Sequence, residues 1–157
     1  LNSDTWWGKS DLGAQCLGLY EKEILDLISS QGPFDTFLDI GAADGYYAVG
    51  LLHAKMTKKA ICFESSAEGQ RAISQNWLRN EKPGELEIHG EANEKSIATV
   101  ANNLPEKTLV LIDIEGFEFQ RNFFGRGRKT IRQGTRNWNC IDYCGTNGRI
   151  ARVGSFQ

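Results

Sequence analysis

One stretch of eleven residues, Phe37 to Tyr47, constrains the fold of this chain more than any other. An apolar run ends in Asp39 and leads through Gly41 and Gly45 into residues with helical spacing. This pattern predicts a buried strand, a tight turn and a helix start, since glycine tolerates a positive φ and lets a ligand approach the backbone. A helix start also offers unpaired backbone N–H groups. Because an acid at the strand end can hold a cation, we expect a nucleotide-like cofactor that carries an ammonium group.

Short apolar segments alternate with amphipathic segments of helical spacing along most of the chain. Such alternation predicts βαβ units, in which the strands are parallel and the crossovers right-handed. We therefore expect an α/β fold, a Rossmann-like and mostly parallel sheet with helices on both faces. The strand at 108–114 is apolar throughout and is expected to be central and buried on both faces. The predicted strands are 36–40, 60–64, 85–89 and 108–114, and the predicted helices are 17–28, 46–54, 66–80 and 93–104.

Acidic residues stand at the ends of the four predicted strands: Asp39, Glu64, Glu91 and Asp113. Parallel α/β sheets bind their ligands outside the carboxyl ends of the strands, so we expect these acids to face a ligand. A carboxylate at Asp39 can accept from an ammonium group, directly or through water. Glu64 follows Gly45 by 19 residues, a spacing typical of an acid that holds a ribose diol through both carboxylate oxygens. The structural alternatives are a capping residue for Asp39 and an exposed strand-end charge for Glu64.

The charges of the chain are unevenly distributed. The net charge of the 157 residues is −2, but residues 1–119 carry −9 and residues 120–157 carry +7. Such a split is typical of a basic segment that meets an anionic partner. We therefore predict a core over residues 1–119 and a separate basic C-terminal segment over residues 120–157.

The residues of the C-terminal segment leave its structure open. Trp138–Cys144 and Arg149–Phe156 could each form a strand, and the glycine-containing sequence between them suits a hairpin turn. Three explanations compete, namely divergent edge strands, an appendage that binds nucleic acid or phosphate, and an aberrant ending that leaves the sheet incomplete. The scarcity of aliphatic residues favours the third, in which one side of the strand at 108–114 stays uncovered. The C-terminal strands are thus expected to be incomplete or divergent.

Cysteine usage and the lack of long apolar segments restrict the class of protein. The four cysteines are scattered along the chain, which is typical of a reduced cytoplasmic protein. Cys140 and Cys144 lack a second pair of ligands nearby, so we expect no metal site. No apolar run reaches the roughly 18 residues of a membrane span, and the first residues lack the pattern of a signal peptide. We expect a cytoplasmic protein with no membrane contact, and the oligomeric state stays open.

Four short motifs, one at each predicted strand end, carry a resemblance to a known class of enzyme. They are LDIGAADG at 38–45, CFE at 62–64, HGEA at 89–92 and LIDIEGFE at 111–118. In this order they resemble the class I S-adenosylmethionine-dependent methyltransferases, over roughly Leu17 to Phe119. The last motif makes the chain most similar to the FkbM family within that class. The resemblance implies S-adenosylmethionine as cofactor and methyl transfer to a hydroxyl oxygen of a small molecule or sugar.

Candidate site residues follow from these motifs. A hydroxyl nucleophile must lose its proton, so Asp113 is the predicted base or acceptor-orienting carboxylate and Glu115 is the second candidate. The resemblance implies that Glu91 accepts from the adenine amino group, and that residues 17–21 fold over the cofactor with Tyr20 and Glu21 near the ligand. The predicted cofactor-binding residues are Asp39, Gly41, Ala42, Gly45, Glu64, Ser65, Glu91 and Ala92.

Two other classes of function compete with an enzyme of this kind. The first is a cofactor-binding module without turnover, whose C-terminal segment binds RNA or another polyanion and stacks Trp138 and Tyr143 on bases. A nucleic-acid partner is less favoured than a small acceptor, because a charged segment is more often a solvated surface. The second is a nicotinamide-dependent oxidoreductase, which requires a G-x-G-x-x-G pattern. Ala43 occupies the second glycine position of that pattern and disfavours this class.

Overall fold

The structure is a computed structural model that describes residues 11–113 and the backbone of residues 138–144 and 149–156. These ranges form five helices and one six-stranded sheet. None of the five helices is both long and apolar enough to span a membrane. The helices are α1 (Leu12–Leu17), α2 (Lys22–Gln31), α3 (Tyr46–His53), α4 (Ala67–Arg79) and α5 (Glu94–Ala101). The strands are β1 (Phe34–Ile40), β2 (Thr57–Phe63), β3 (Glu85–His89), β4 (Thr108–Ile112), β5 (Trp138–Cys144) and β6 (Arg149–Phe156).

The strand order in the sheet is β3-β2-β1-β4-β5-β6. Strands β1 to β5 run parallel to their neighbours, and β6 runs antiparallel to β5. The predicted Rossmann-like, mostly parallel sheet is therefore confirmed. From β1 the chain builds outward through β2 to β3 and then returns to place β4 on the other side of β1. The strand order thus reverses between β1 and β4, and this is where α/β sheets form their ligand crevice.

Alternate side chains of the central strands pack on opposite faces of the sheet, as the pleat requires. Phe37 and Leu111 belong to a core shared with α2, α3 and α4, whereas Leu38 and Val110 belong to a core shared with α5. Helices therefore cover both faces, as predicted. Every residue of β4 is buried, because both cores press on this strand. Each buried Leu, Ile or Phe in these cores contributes about 1.5–3 kcal/mol of hydrophobic stabilisation.

The largest departure from the predicted elements lies before β1. The sequence predicts one helix over residues 17–28 and an irregular segment over residues 1–15, but the chain forms α1 and α2 with a break at residues 18–21. Gly18 ends α1 in the left-handed conformation with a φ of 67°, and Glu21 precedes α2 with a φ of 48°. Two left-handed residues so close together cannot continue a helix. The apolar spacing of the sequence carries no sign of this break.

The C-terminal strands join the same sheet as the first four strands. Both predicted strands are present in the backbone, and residues 109–112 of β4 pair in parallel with residues 139–142 of β5. The expectation that β4 would be left uncovered on one side was therefore wrong, since strand pairing needs only backbone groups and not the aliphatic content that the segment lacks. The predicted hairpin turn between the strands lies outside the described residues. The division of the chain at residue 119 remains a prediction.

Candidate functional site

An open cleft lies at the carboxyl ends of β1 and β4, where the strand order reverses. The turn after β1, the start of α3 and the segment around residues 15–21 complete its walls. Its lining residues in the described part of the chain are Gln15, Tyr20, Glu21, Asp39, Gly41, Ala42, Ala43, Asp44, Tyr46, Tyr47, Leu111 and Asp113.

The glycine-containing turn after β1 presents its backbone to the cleft. Gly41 has a φ of 92°, and its N–H and that of Ala42 both donate to the Phe63 carbonyl, at 2.9 and 3.0 Å. The Ala43 N–H donates to the Glu64 carboxylate at 2.9 Å. These three N–H groups are therefore already bonded, two to the last residue of β2 and one to Glu64, which follows β2. The turn still lets a ligand approach closely, since Gly41 brings no side chain to the cleft wall.

Gly45 has a different role from Gly41, although the sequence predicts cofactor contact for both. Gly45 has a φ of 79°, its N–H donates to the Ala42 carbonyl at 2.7 Å, and a Cβ here would lie 3.1 Å from Ile73. It caps α3 and packs against α4, and it does not line the cleft. Asp44 precedes this cap residue and accepts from the Tyr46 N–H at 3.2 Å. Gly45 therefore supports the turn on the side that packs against α4.

Asp39 is the most unusual residue of the cleft. It lines the cleft and is only 2 % exposed, and no described residue donates a hydrogen bond to its carboxylate. Burial raises the pKa of Asp39 well above its usual range, and the neighbouring carboxylates of Asp113, Asp44 and Glu64 raise it further. A buried carboxyl group without a partner is costly unless something pairs with it. The site is therefore suited to a cationic, hydrogen-bond-donating group.

Asp113 follows β4 directly and faces the same cleft as Asp39. Its backbone N–H donates to the Ile40 carbonyl at 2.9 Å, which ties the end of β4 to the end of β1. It lines the same cleft as Asp39 and Tyr20, and burial followed by the charge of Asp113 raises the pKa of Asp39. The structure therefore brings together the predicted ammonium-binding acid and the predicted base. Glu115, the second predicted catalytic residue, lies outside the described residues.

Glu64 lies at the end of β2 and is nearly buried, with 9 % of its surface exposed. One carboxylate oxygen, Oε2, accepts from the Ala43 N–H at 2.9 Å, and the other, Oε1, accepts from the Ser66 N–H at 2.7 Å. The sequence predicts that both oxygens hold a ribose diol, whereas the structure gives each a backbone partner. Each oxygen retains a second lone pair. Glu64 thus joins the glycine turn to the start of α4 and does not itself line the cleft.

The remaining predicted cofactor residues lie farther along the same sheet edge, away from the cleft. The Glu64 N–H donates to the His89 carbonyl at 3.1 Å, so the end of β3 lies beside the end of β2. Ser65 and Glu91 are exposed, and Ala92 packs against the core on the α5 side. The predicted row of acids therefore exists along one edge, with Asp39 and Asp113 at the cleft and Glu91 at its far end.

The segment before α2 forms part of one side of the cleft through Tyr20 and Glu21. That residues 17–21 fold over a cofactor remains a prediction. Tyr20 packs edge-on against Tyr46, with ring centroids 5.5 Å apart, and the Tyr46 hydroxyl donates to the Tyr20 carbonyl at 3.2 Å. The Tyr47 hydroxyl donates to the Glu21 carboxylate. Burial, followed by the charges of Glu21 and Asp44, raises the pKa of Tyr46 to about 12. Both α3 tyrosines therefore act as hydroxyl donors that hold this segment in place.

Gln15 is a cleft residue that the sequence did not reveal. It is 4 % exposed in α1, and its Nε2 donates to Asp44 Oδ2 at 3.4 Å. The Asp44 carbonyl in turn accepts from Asn76 Nδ2 at 2.9 Å. A polar residue in a short amphipathic segment carries no signal of such a contact, which joins positions 29 residues apart.

The described side chains include no group of three or more His, Cys, Asp or Glu residues arranged to hold a metal ion. No protein-family model matches the chain, and no curated protein matches it either. The fold, however, is similar to many solved structures.

Three of these structures illustrate the range. The M. capricolum protein TrmK, solved with S-adenosyl-homocysteine, is 14 % identical, with 76 % of this chain and 50 % of that chain covered at a TM-score of 0.57. Streptococcus pneumoniae Sp1610, described as a candidate tRNA (m1A22) methyltransferase and solved with S-adenosyl-L-methionine, is 14 % identical, with 76 % and 54 % covered at 0.55. The precorrin 8w decarboxylase of Methanobacterium thermoautotrophicum is 11 % identical, with 83 % and 62 % covered at 0.55.

At these identities the likeness shows the fold alone, a Rossmann-like α/β fold that these methyltransferase structures share. The chain spans about half the length of the structures it matches, for example 54 %, 51 % and 53 % of three of them. The decarboxylase among them shows that one fold hosts more than one reaction. The chemistry of this chain must therefore be argued from its cleft.

Proposed function

We propose that this chain is an S-adenosylmethionine-dependent methyltransferase that binds its cofactor in the cleft between β1 and β4. The observation that carries the proposal is the buried carboxyl group of Asp39, which lines the cleft without a hydrogen-bond donor from any described residue. An ammonium group of the cofactor supplies both the missing donor and the missing positive charge. Solved structures of the same fold that hold S-adenosyl-L-methionine or its demethylated product support this choice of ligand.

Each part of the cofactor has a residue suited to it. Asp39 would hold the ammonium group, and the backbone of Gly41 and Ala42 would lie against the ligand where the turn is open. Glu64, already oriented by two backbone N–H groups, would accept from a ribose hydroxyl through a remaining lone pair. Ser65, Glu91 and Ala92 lie in the direction of β3, where the adenine would extend. Gly45 would support the turn without touching the ligand.

The protein would form no covalent bond to the substrate in this reaction, and its role would be to position the reactants and remove a proton. The bound cofactor supplies a methyl group on a positively charged sulfur that is an excellent leaving group. Asp113, which lines the cleft together with Asp39, would accept the proton of the acceptor hydroxyl and orient its oxygen for an in-line approach. Glu115 is the second candidate for that role. Tyr20 and Tyr46 would exclude water from the same side.

The acceptor we favour is a hydroxyl group of a small molecule or sugar, in line with the resemblance of the motif at 111–118 to the FkbM family. An RNA acceptor is the second candidate. Two observations favour it, namely the charge of +7 on residues 120–157 and the description of Streptococcus pneumoniae Sp1610 as a candidate tRNA methyltransferase. A cofactor-binding module without turnover that holds RNA through the same segment differs from both in transferring no methyl group.

Two measurements on the full chain test the proposal. Calorimetry should show binding of S-adenosylmethionine and S-adenosylhomocysteine but not of NAD, and binding of NAD alone would overturn it. Labelled methyl groups should then pass from the cofactor to one member of a panel that contains hydroxylated small molecules, sugars and tRNA. Label in tRNA would select the second candidate acceptor, and cofactor binding without transfer to any acceptor would select the module without turnover.

A further inference from the structure

The start of α4 approaches the glycine turn so closely that only a glycine fits between them. At Gly69, in the first turn of α4, a Cβ would lie 2.6 Å from Glu64 Cγ and 2.8 Å from the Ala43 carbonyl oxygen. Both distances are far below van der Waals contact. Gly69 has a helical backbone and no positive φ, so conformational freedom does not explain the glycine. Space explains it.

The atoms that a side chain at position 69 would displace belong to Glu64 itself and to Ala43, whose N–H helps to orient the Glu64 carboxylate. The Ala43 N–H holds Glu64 Oε2 at 2.9 Å, and the Ser66 N–H, at the N-cap of α4, holds Oε1 at 2.7 Å. Gln70 Nε2, in the same turn of α4, donates to the Glu64 carbonyl at 2.8 Å. The first turn of α4 therefore surrounds Glu64 on several sides, and Gly69 sets how close that turn can come.

We propose that Gly69, with the turn of α4 around it, is a positioning element that sets the orientation of the Glu64 carboxylate toward the cofactor. This inference rests on the proposed function. A Cβ at position 69 must push away either the Glu64 side chain or the Ala43 backbone, and either movement breaks the hydrogen bond between them. Glu64 would then lose the orientation in which its free lone pairs meet a ligand hydroxyl.

The test compares the dissociation constants of S-adenosylhomocysteine for the full chain and four variants, measured by calorimetry. We expect Gly69→Ala to weaken binding about tenfold or more, the cost of losing a well-placed hydrogen bond to a charged group. Glu64→Gln should weaken binding by a similar factor. In the double variant, Gly69→Ala should add less than about twofold, because the carboxylate that it positions is already gone. The matched control is Gly13→Ala, at an exposed helical glycine with no atom near its Cβ position, which should bind as the wild type does.

The outcomes separate the two proposals. If the wild type does not bind S-adenosylhomocysteine, the proposed function fails. If the wild type binds and Gly69→Ala binds within about twofold of it, the function stands and the positioning role is overturned. The positioning role would also be overturned if Gly69→Ala weakened binding by the same factor in the wild type and in the Glu64→Gln variant. Equal factors would indicate general damage to the structure. Should Gly69→Ala fail to fold, Gln70→Ala replaces it in the same cycle, with the same coupling to Glu64→Gln expected and its absence overturning the role.

Discussion

Asp39 combines two features that oppose each other in an unliganded protein. It is almost completely buried, and the charged groups that act on it among the described residues are other acids. Burial alone favours the neutral carboxyl group, and the nearby carboxylates add to this preference. Such a residue weakens the fold in the pH range where it ionises. A cost of this kind is typical of a group kept for binding and not for stability.

The raised pKa of Asp39 predicts how stability changes with pH. The folded state binds the proton of Asp39 more tightly than the unfolded state, so this group favours folding most below the usual Asp pKa of about 3.9. That contribution is lost as the pH rises through the raised pKa. We expect Asp39→Asn, which cannot ionise, to melt above the wild type at about pH 8, by about 2–4 °C for each kcal/mol gained. The difference should shrink toward about pH 4, where the wild-type group is protonated.

Asp35→Asn is the matched control for this prediction. Asp35 is exposed, and its hydrogen bond and ion pair with Lys58 hold the pKa of its carboxyl group below the usual value. Its folded-state stabilisation is present above the usual pKa and is lost as the pH falls, so the sign of the pH effect is opposite. Thermal melts of both variants and the wild type across this pH range measure the two opposite pH effects. A melting temperature of Asp39→Asn that stays below that of the wild type at every pH would contradict the assignment.

Asp113 is predicted to act on the acceptor and not on the cofactor. Asp113→Asn keeps the shape of the side chain and removes its basicity, so we expect turnover to fall by about 10²–10⁴-fold. The affinity for S-adenosylhomocysteine should stay within about threefold, because the lost interaction is made in the transition state. Transfer of labelled methyl groups and calorimetry measure the two quantities. Asp26→Asn, at an exposed acid paired with Lys22 on α2, is the control and should change neither. Full turnover in Asp113→Asn refutes the base assignment.

At the scale of elements, the break between α1 and α2 contributes more to the cleft than either helix does. A continuous helix over residues 17–28 would carry Tyr20 and Glu21 in a regular spiral. The break at Gly18 and Glu21 instead turns both side chains into the cleft wall, where they meet the tyrosines of α3. The hydroxyl groups of Tyr46 and Tyr47 then hold this segment across a sequence separation of 26 residues.

Removal of one of these hydroxyl groups should loosen the segment. Tyr47→Phe deletes the donor to the Glu21 carboxylate, and we expect the free energy of unfolding to fall by about 1–2 kcal/mol. Amide exchange at residues 18–21 should become faster, because this segment would open more often. Chemical denaturation and hydrogen exchange give the two readings. The control is Thr99→Val, at an exposed position of α5 where the hydroxyl donates to the Lys95 carbonyl of the same helix, and it should change the free energy of unfolding by less than about 0.5 kcal/mol. Unchanged exchange at residues 18–21 in Tyr47→Phe would argue against the holding role.

At the scale of the whole molecule, charge is separated along the chain while strands from both parts share one sheet. Residues 1–119 carry −9 and residues 120–157 carry +7, yet β5 of the basic part pairs directly with β4 of the acidic part. Strand β5 of the basic part therefore lies beside β4, the strand that Asp113 directly follows.

A salt titration tests this whole-molecule charge pattern. We expect replacement of the five basic residues between positions 126 and 136 by Gln to lower the affinity for tRNA at least about tenfold at low salt, if tRNA is the acceptor. The dependence of log K on log salt should become shallower, by about 0.7–0.9 for each lost phosphate contact. The affinity for S-adenosylhomocysteine should not change. The control makes the same change of charge in the acidic part of the chain. It replaces five basic residues there by Gln, namely Lys22, Lys55, Lys58, Lys82 and Lys95. Wild-type binding to tRNA that is absent or independent of salt would exclude the RNA acceptor.

The sequence by itself determined the fold class and the edge of the sheet at which a ligand would bind. Strand and helix periodicities are local, and a glycine turn after an apolar run is readable within a dozen residues. The order of such segments then restricts the topology to a parallel sheet with few alternatives. Asp39 and Asp113 could be assigned to the site for this reason, since both end predicted strands.

Only the tertiary structure decided the burial and the contacts of the individual residues at that edge of the sheet. Four features arise between distant segments: the burial of Asp39 without a donor among the described residues, the two backbone partners of Glu64, the contact of Gln15 with Asp44, and the crowding at Gly69. The break before α2 and the pairing of β5 with β4 are of the same kind. Periodicity reports which face of an element is apolar. It carries no information on which atom of another element will meet that face, because close packing in three dimensions sets that distance.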